Sequence, residues 1–427
     1  MRSRYLVLVV GLFTLLGRVP VGAQTAPSAP ALESIGFDEA IRRATSANPG
    51  IAQAAAGILR AEALLQQVRA RLRPSLDATF TTGVIDPVVR FNGASINPRT
   101  QTATGATLAI PILTSVRWAE RAQAGDQVLV SQASAADVRR QIAMATAQAY
   151  LAVIAERRVL ELDERARENA QAHFTYARQR FEGGVGSRLN MLRAQQELSS
   201  SEALVEQAGL SVRRAQEALG VLVAADAPVD AGEEPRFDVT GAETVNDAAG
   251  RLDVQFLAAR QSAARRVLAD TWKDRLPSLS ALFTPQYLAP SGLFVQPRSM
   301  RVAVTFSVPL LDGAARRARQ GERQAIVTSL AAERAGLDRQ VSSEVRTARD
   351  AVTRTERARD RADAAAGQAA EVVTITDTAF REGATTNIEV IDAQRRARDA
   401  GTAAAIAEDA VRRARLELLV ALGRFPQ

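Results

Sequence analysis

All 16 prolines of the chain lie outside two stretches, one between Pro111 and Pro228 and one between Pro309 and Pro426, each 116 residues long. Proline inside a helix removes a hydrogen bond and costs about 3 kcal/mol, so two long windows without it predict long helices. Each window breaks once, at a matching place. The first holds Phe181-Glu182-Gly183-Gly184-Val185-Gly186-Ser187, the second Phe380-Arg381-Glu382-Gly383-Ala384-Thr385. Glycine there supplies the positive φ that ends a helix, and Ser187 or Thr386 stands where a cap for the next helix belongs. Each window is therefore expected to form a helical hairpin, over 115–222 and 313–422. The first arms run from about Ser115 to Phe181 and from about Gly313 to Phe380, and at 1.5 Å per residue each is roughly 100 Å long. Apolar or small residues recur at three and four spacing, as in Ile142, Ala145, Ala149 and Ala152, and again in Leu330, Gly336, Val341 and Val345. Arg and Glu lie between them, which is a coiled-coil-like face pattern.

The two windows belong to an internal duplication. Arg73-Pro74-Ser75-Leu76 returns as Leu276-Pro277-Ser278-Leu279, and Ala109-Ile110-Pro111-Ile112-Leu113 as Ser307-Val308-Pro309-Leu310-Leu311. Leu192-Arg193-Ala194-Gln195 returns as Ile391-Asp392-Ala393-Gln394, and Ala218-Leu219-Gly220 as Ala421-Leu422-Gly423. The offsets are 203, 198, 199 and 203 residues. Between the proline pairs the hydrophobic period changes from helical to alternating. Leu76, Ala78, Phe80, Thr82 and Val84 alternate with Ser75, Asp77, Thr79 and Thr81; Met300, Val302, Val304, Phe306 and Val308 alternate with Ser299, Arg301, Thr305 and Ser307. Such alternation marks strands with one apolar and one polar face. Strands are expected at about 75–86, 100–110, 278–287 and 299–308, with loops from Asp86 to Pro98 and from Leu288 to Pro297. Each is about the length of a tilted transmembrane strand. Soluble β-hairpins alternate in the same way, but Phe80, Phe91, Trp118, Trp272, Phe283, Tyr287, Phe294 and Phe306 crowd these segments, as aromatic residues do at membrane interfaces. Four strands cannot close a transmembrane barrel, and lipid cannot satisfy an open edge. Strands of this kind in a membrane require several protomers to share one barrel.

The division that follows is residues 1–23 as a signal peptide, a first repeat over 24–222, a polar linker over 223–250 with little core, and a second repeat over 251–423. Arg2 and Arg4, the apolar run from Tyr5 to Gly17 and the small residues Val21-Gly22-Ala23 carry the signal-peptide reading; Gln24 to Pro30 reads as a flexible leader. The chain has no Cys, one His and four Met. That excludes disulfides, thiolate metal sites, cysteine nucleophiles and a lipid-modified N-terminal cysteine. The formal charge of +7 includes three arginines of the signal segment, and the remaining surplus is spread thinly, which argues against nucleic acid. No catalytic, cofactor or metal constellation emerges. His173 lies among Ala172, Phe174 and Tyr176 as a packed or solvated helix residue. Gly183-Gly184-Val185-Gly186 follows a helix and not a strand, so it is no phosphate loop. The runs Arg316-Arg317-Ala318-Arg319 and Arg395-Arg396-Ala397-Arg398 are expected to pair with acids on neighbouring helices.

The order signal peptide, short helix, strand hairpin, long helical hairpin, then the same again, resembles the TolC-type outer-membrane efflux and secretion channel family. Asn48-Pro49-Gly50-Ile51, Arg73-Pro74-Ser75-Leu76, Leu192-Arg193-Ala194-Gln195 and Val390-Ile391-Asp392-Ala393-Gln394 resemble its recurring motifs, and the resemblance runs from about Phe37 to Gly423. It implies a mainly α chain with β membrane strands. Three protomers would build a 12-stranded β-barrel continuous with a 12-helix α-barrel in the periplasm. It also implies efflux or type I secretion without enzymatic activity, and as partners an inner-membrane transporter and a periplasmic adaptor (membrane fusion) protein. The adaptor would dock at the tips formed by Gly184, Val185, Gly186, Gly383 and Ala384. Glu389 and Asp392, three apart on one helix face, match positions where family members carry constriction-lining aspartates. Asn190 and Arg193 occupy the matching sites of the first repeat. Thr385 stands where some members carry a basic residue that holds the closed state, a role Arg188 or Arg193 would then take. Two other readings remain open at this point: a periplasmic adaptor, which has one hairpin between soluble β-domains, and a coiled-coil scaffold of the envelope. The residues name no cargo among drugs, metal ions and secreted proteins.

Overall fold

The structure, a computed structural model, describes residues 32–240 and 250–425. The expected signal peptide, its leader and residues 241–249 of the expected linker lie outside the described residues. The first half runs β1 (Glu33–Ile35), α1 (Phe37–Ala47), α2 (Pro49–Ala70), β2 (Ser75–Val84), β3 (Arg90–Phe91), β4 (Ala94–Ser95), β5 (Thr100–Thr114), α3 (Ser115–Glu182), α4 (Arg188–Leu222) and β6 (Val229–Ala231). The second runs α5 (Leu252–Ala269), a 3-10 turn (Asp270–Arg275), β7 (Ser278–Ala289), β8 (Arg298–Ser307), α6 (Ala315–Arg381) and α7 (Asn387–Ala421). The long helices α3 and α6 have 68 and 67 residues, and α4 and α7 have 35 each. At 1.5 Å per residue the long pair is roughly 100 Å in length.

α2 and α4 lie against α3, and α5 and α7 lie against α6, while α3 also touches α5 and α7 and so joins the halves. The junction that lets α2 start beside the end of α4 is built by Asn48. Its Oδ1 accepts from the Gly50 N–H at 2.9 Å, and its Nδ2 donates to the Leu222 carbonyl at 2.9 Å. Pro49 follows at the first helical position, where its missing N–H costs nothing.

β2, β5, β7 and β8 form one antiparallel sheet in that order, so both hairpins join through β5 and β7 and the open edges are β2 and β8. Cross-strand register puts Leu76, Phe80, Leu108, Phe283, Val302 and Phe306 on one face. Asp77, Thr79, Thr107, Ser280, Arg301 and Thr305 share the other. β5 runs beyond the expected strand, through Pro111 to Thr114, with a register shift between Pro111 and Leu113. A bulge is where a strand tolerates proline. β8, which repeats that sequence, ends at Ser307. The first expected loop contains the β3–β4 pair, and Phe91 packs edge-on against Phe294 of the second at 6.4 Å.

The principal core is not where the helix pattern alone would put it. β1 pairs in parallel with β6, and Ile35, Val229 and Ala231 are buried there with Tyr150, Val153, Ile154 and Leu219. The stretch expected to be a linker with little core therefore contributes Val229 and Ala231, 1% and 0% exposed. The pairing is held by Asp230, which meets Arg157 at 3.2 Å and Gln216 at 3.2 Å. Tyr150, fully buried, donates its hydroxyl to the Glu233 carbonyl at 2.9 Å. The buried residues of α3 at this level are Ala143, Thr146, Ala147, Tyr150, Leu151, Val153 and Ile154. They form a wider surface than the expected stripe of Ile142, Ala145, Ala149 and Ala152, because α1, α4 and α7 all press on this segment. On α6, Leu330, Val341 and Val345 are buried as expected, but Gly336 is exposed. Among the described residues no helix is long and apolar enough to cross a membrane.

Candidate functional site

The two helical hairpins turn side by side at the ends farthest from the sheet. α3 ends in a left-handed glycine, Gly184 at φ 73°, and the N–H groups of Val185 and Gly186 both donate to the Arg180 carbonyl, at 3.0 and 2.8 Å. α6 ends the same way at Gly383, φ 77°, with the Ala384 N–H donating to the Ala379 carbonyl at 2.8 Å. These closures satisfy carbonyls that the helix leaves unpaired. A Cβ on Gly186 would lie 2.8 Å from the Arg180 carbonyl carbon and the Phe181 nitrogen, so backbone crowding excludes any side chain there. Ser187 caps α4, its Oγ accepting from the Asn190 N–H at 3.3 Å. Thr386, expected to cap α7, makes no side-chain cap bond. The first turn is closed instead by the Glu389 N–H on the Thr386 carbonyl at 3.1 Å.

Asn387 locks the tips together. It is 2% exposed, its Oδ1 lies 2.6 Å from His173 Nε2, and its Nδ2 donates to the Asn190 carbonyl at 3.3 Å. An amide that donates through nitrogen accepts through oxygen, so Nε2 of His173 carries the proton. His173 is thus a packed histidine, 5.4 Å from the Phe380 ring. Burial pushes its pKa down, against smaller upward pulls from the Asn387 hydrogen bond and from Asp377. Sequence reasoning missed this brace. The signal was Asn387 itself, three and four residues before the buried Val390 and Ile391 on the same stripe, where a polar group needs a partner.

Between the tips lies an open groove of about 550 Å³, lined among others by Val185, Gly186, Asn190, Arg193, Thr385 and Ile388. Gly383 borders the same groove, so residues of both turns are brought together; Gly184 and Ala384 are exposed beside it. Glu389 and Asp392 lie outside the groove lining, both exposed, on one face of α7. Asp392 pairs with Arg396 at 2.9 Å, one turn further along. The matching first-repeat positions hold Asn190, half-buried, and Arg193, exposed. Of the arginine-rich runs, Arg395 reaches across to Glu197 of α4 at 2.6 Å, as expected. Arg316 and Arg396 pair instead with acids four residues before them, Asp312 and Asp392, and Arg398 with the adjacent Asp399. Among the described residues no group of acidic or histidine side chains could hold a metal ion.

Residues 40–244 match the family described as outer membrane efflux protein. No curated protein sequence matches the chain. Among solved structures, the Campylobacter jejuni CmeC outer membrane channel is similar with a TM-score of 0.79 at 14% identity, over 91% of this chain and 85% of that one. A membrane protein from Pseudomonas aeruginosa gives a TM-score of 0.79 at 21% identity, over 92% of this chain and 91% of that one. The Neisseria gonorrhoeae MtrE outer membrane channel, solved in its open state, gives 0.76 at 16%, over 95% of this chain and 96% of that one. These are likenesses of fold, and they run through both repeats. The first repeat thus matches the outer membrane efflux protein family by sequence, and the fold of outer membrane channels runs on through the second repeat.

Proposed function

We propose that this protein is the outer-membrane exit duct of a tripartite export system and not an enzyme. The observation that carries this reading is the sheet. Its apolar face is exposed, with Phe80, Val302 and Phe306 at 74%, 68% and 63%, and it is joined to two helical hairpins roughly 100 Å long. An apolar surface of that extent belongs against lipid or a partner and not against water. Unpaired strand edges in lipid leave backbone groups unsatisfied, and four strands are too few to close. Three protomers would close a 12-stranded barrel in the outer membrane, and their helices would form a 12-helix tunnel in the periplasm. A lone periplasmic adaptor would carry one hairpin, and a coiled-coil scaffold would have no use for an apolar sheet face.

In this reading the tips, Gly184, Val185, Gly186, Gly383 and Ala384, face a periplasmic adaptor that links the duct to an inner-membrane transporter. Glu389 and Asp392, with Asn190 and Arg193, surround the threefold axis at the periplasmic entrance. With Thr385 in place of a basic residue, Arg193 or Arg188 is the cation available to latch the closed state. The test is to fractionate membranes, extract the protein in detergent and measure its mass by light scattering corrected for detergent. The expected result is an outer-membrane protein of about three protomers. A well-folded monomer, or a protein found in the soluble periplasmic fraction, would overturn the duct.

A further inference from the structure

We propose that assembly lengthens β8 through residues 308–312 and pairs it with β2 of a second copy, with Phe306 opposite Phe80 and Leu311 opposite Leu76. The inference rests on the shared-barrel reading above and goes beyond it by naming the register and the segment that folds on assembly.

The argument comes from the two seams of a duplicated sheet. In the first hairpin Ser75 lies opposite Ala109, and in the second Ser278 lies opposite Ser307. The first strands of the hairpins are thus 203 residues apart and the second strands 198. Those are also the separations of Pro74 from Pro277 and of Pro111 from Pro309. The duplication is therefore exact at the level of backbone pairing. Within the chain the repeats meet at β5 and β7, where Leu108 lies opposite Phe283 and Leu113 opposite Leu279, with Ile112 left out at the bulge. In a closed ring of repeats the next seam is β8 against β2 of the neighbouring copy. Carrying the observed seam forward by the same separations gives Phe306 opposite Phe80 and Leu311 opposite Leu76, with Leu310 at the bulge in the place of Ile112.

Two independent features fit. Phe80 and Phe306 already share the apolar face, so the register keeps that face continuous around the ring; a slip of one residue would turn one strand inside out. Leu310 and Leu311 are 87% and 93% exposed, more than any other large apolar side chain among the described residues. Their counterparts Ile112 and Leu113 lie within β5, where β7 provides a partner. β8 stops at Ser307 because inside one chain nothing lies beyond it.

The chain has no cysteine, so pairs can be introduced into the natural background. Phe80→Cys with Phe306→Cys tests one pair and Thr79→Cys with Ser307→Cys its neighbour; adjacent pairs alternate between wide and narrow spacing, and one of the two suits a disulfide. Within a chain these residues sit on opposite edge strands, at least about 14 Å apart across three gaps of roughly 4.8 Å, and further still because Phe80 lies level with Arg298 and not with Phe306, too far to bridge. Oxidation of full-length protein in membranes should give covalent dimers and trimers on denaturing gels. The slipped pairs Phe80→Cys with Val304→Cys and Thr79→Cys with Thr305→Cys should give at least fivefold less. A trimer by light scattering whose strongest cross-link is a slipped pair, or which cross-links at neither in-register pair, would overturn the register alone. A monomer would overturn the shared barrel and the register with it.

Discussion

Burial of the His173 ring, packed against Phe380, favours its neutral form in the folded tip, against the smaller upward pull of its hydrogen bond to Asn387. Its pKa lies below the ordinary value of about 6.5 for the unfolded residue. Between the two values the unfolded chain binds the extra proton, so stability there rises with pH. The contribution of the brace is present above about pH 6.5 and is lost as pH falls through the lowered folded value. The charged group facing the ring is Asp377 of α6, which pulls upward and is itself held by Arg381 at 2.7 Å. Hydrogen exchange of the amides of residues 187–192, normalised for intrinsic rates, should therefore show faster opening at pH 5 than at pH 7.5. His173→Gln should remove most of that dependence. Equal protection at the two pH values in the natural protein would mean that the histidine does not gate the tip.

At the scale of elements, the turns separate what geometry requires from what is left for contact. Gly184 and Gly383 are held by positive φ and Gly186 by backbone crowding, so a bulky residue at Gly186 would distort the turn before it blocked a partner. The side chains the turns leave exposed to the proposed adaptor are Val185, Leu189 and Ile388, 71%, 56% and 53% exposed. Val185→Asp with Ile388→Asp should leave the melting temperature nearly unchanged, since exposed substitutions usually stay within about 0.5 kcal/mol. The same pair should reduce adaptor co-purification with the channel by tenfold or more; undiminished co-purification would remove these turns from the contact. The hairpins were legible in the sequence because proline and glycine act locally: Phe181 and Phe380 sit within a residue of the helix ends at Glu182 and Arg381. The β1–β6 pair was not legible. Three-residue strands carry no period, and their pairing joins Glu33 to Val229 across the whole first repeat. The buried surface of α3 was misplaced for a related reason: it is set by three neighbouring helices, and spacing along one helix does not reveal how many press on it. Glu389 and Asp392 were read as a pair from their spacing, but the claim of Arg396 on Asp392 is settled by side-chain reach.

At the scale of the whole molecule, in the trimer proposed above, threefold symmetry would multiply each charge at the entrance by three, and the sign of the ring would follow from which side chains converge. In each chain Glu389 and Asp392 bring two negative charges, Arg396 offsets one of them through its pair with Asp392, and Arg193 of the other tip brings a positive charge. Among the described residues Glu389 has no ion-pair partner, so its field is the least compensated. The Asp392–Arg396 pair is open to solvent, 56% and 77% exposed, and exposed pairs of this kind contribute only about 0–1 kcal/mol; removing these side chains should leave the trimer folded. Glu389→Ala with Asp392→Ala takes six negative charges from the ring and leaves Arg193 and Arg396 behind. Like charges converging on a pore exclude ions of their own sign, so the reversal potential across a planar bilayer in a salt gradient should move toward anions. Conductance should rise as the shorter side chains widen the entrance. Arg193→Ala should move the reversal potential the other way. Both shifts should be largest at low ionic strength and shrink at about 1 M salt, where charges are screened within about 3 Å. A double variant with the natural reversal potential and conductance at low salt would place Glu389 and Asp392 away from the conduction path.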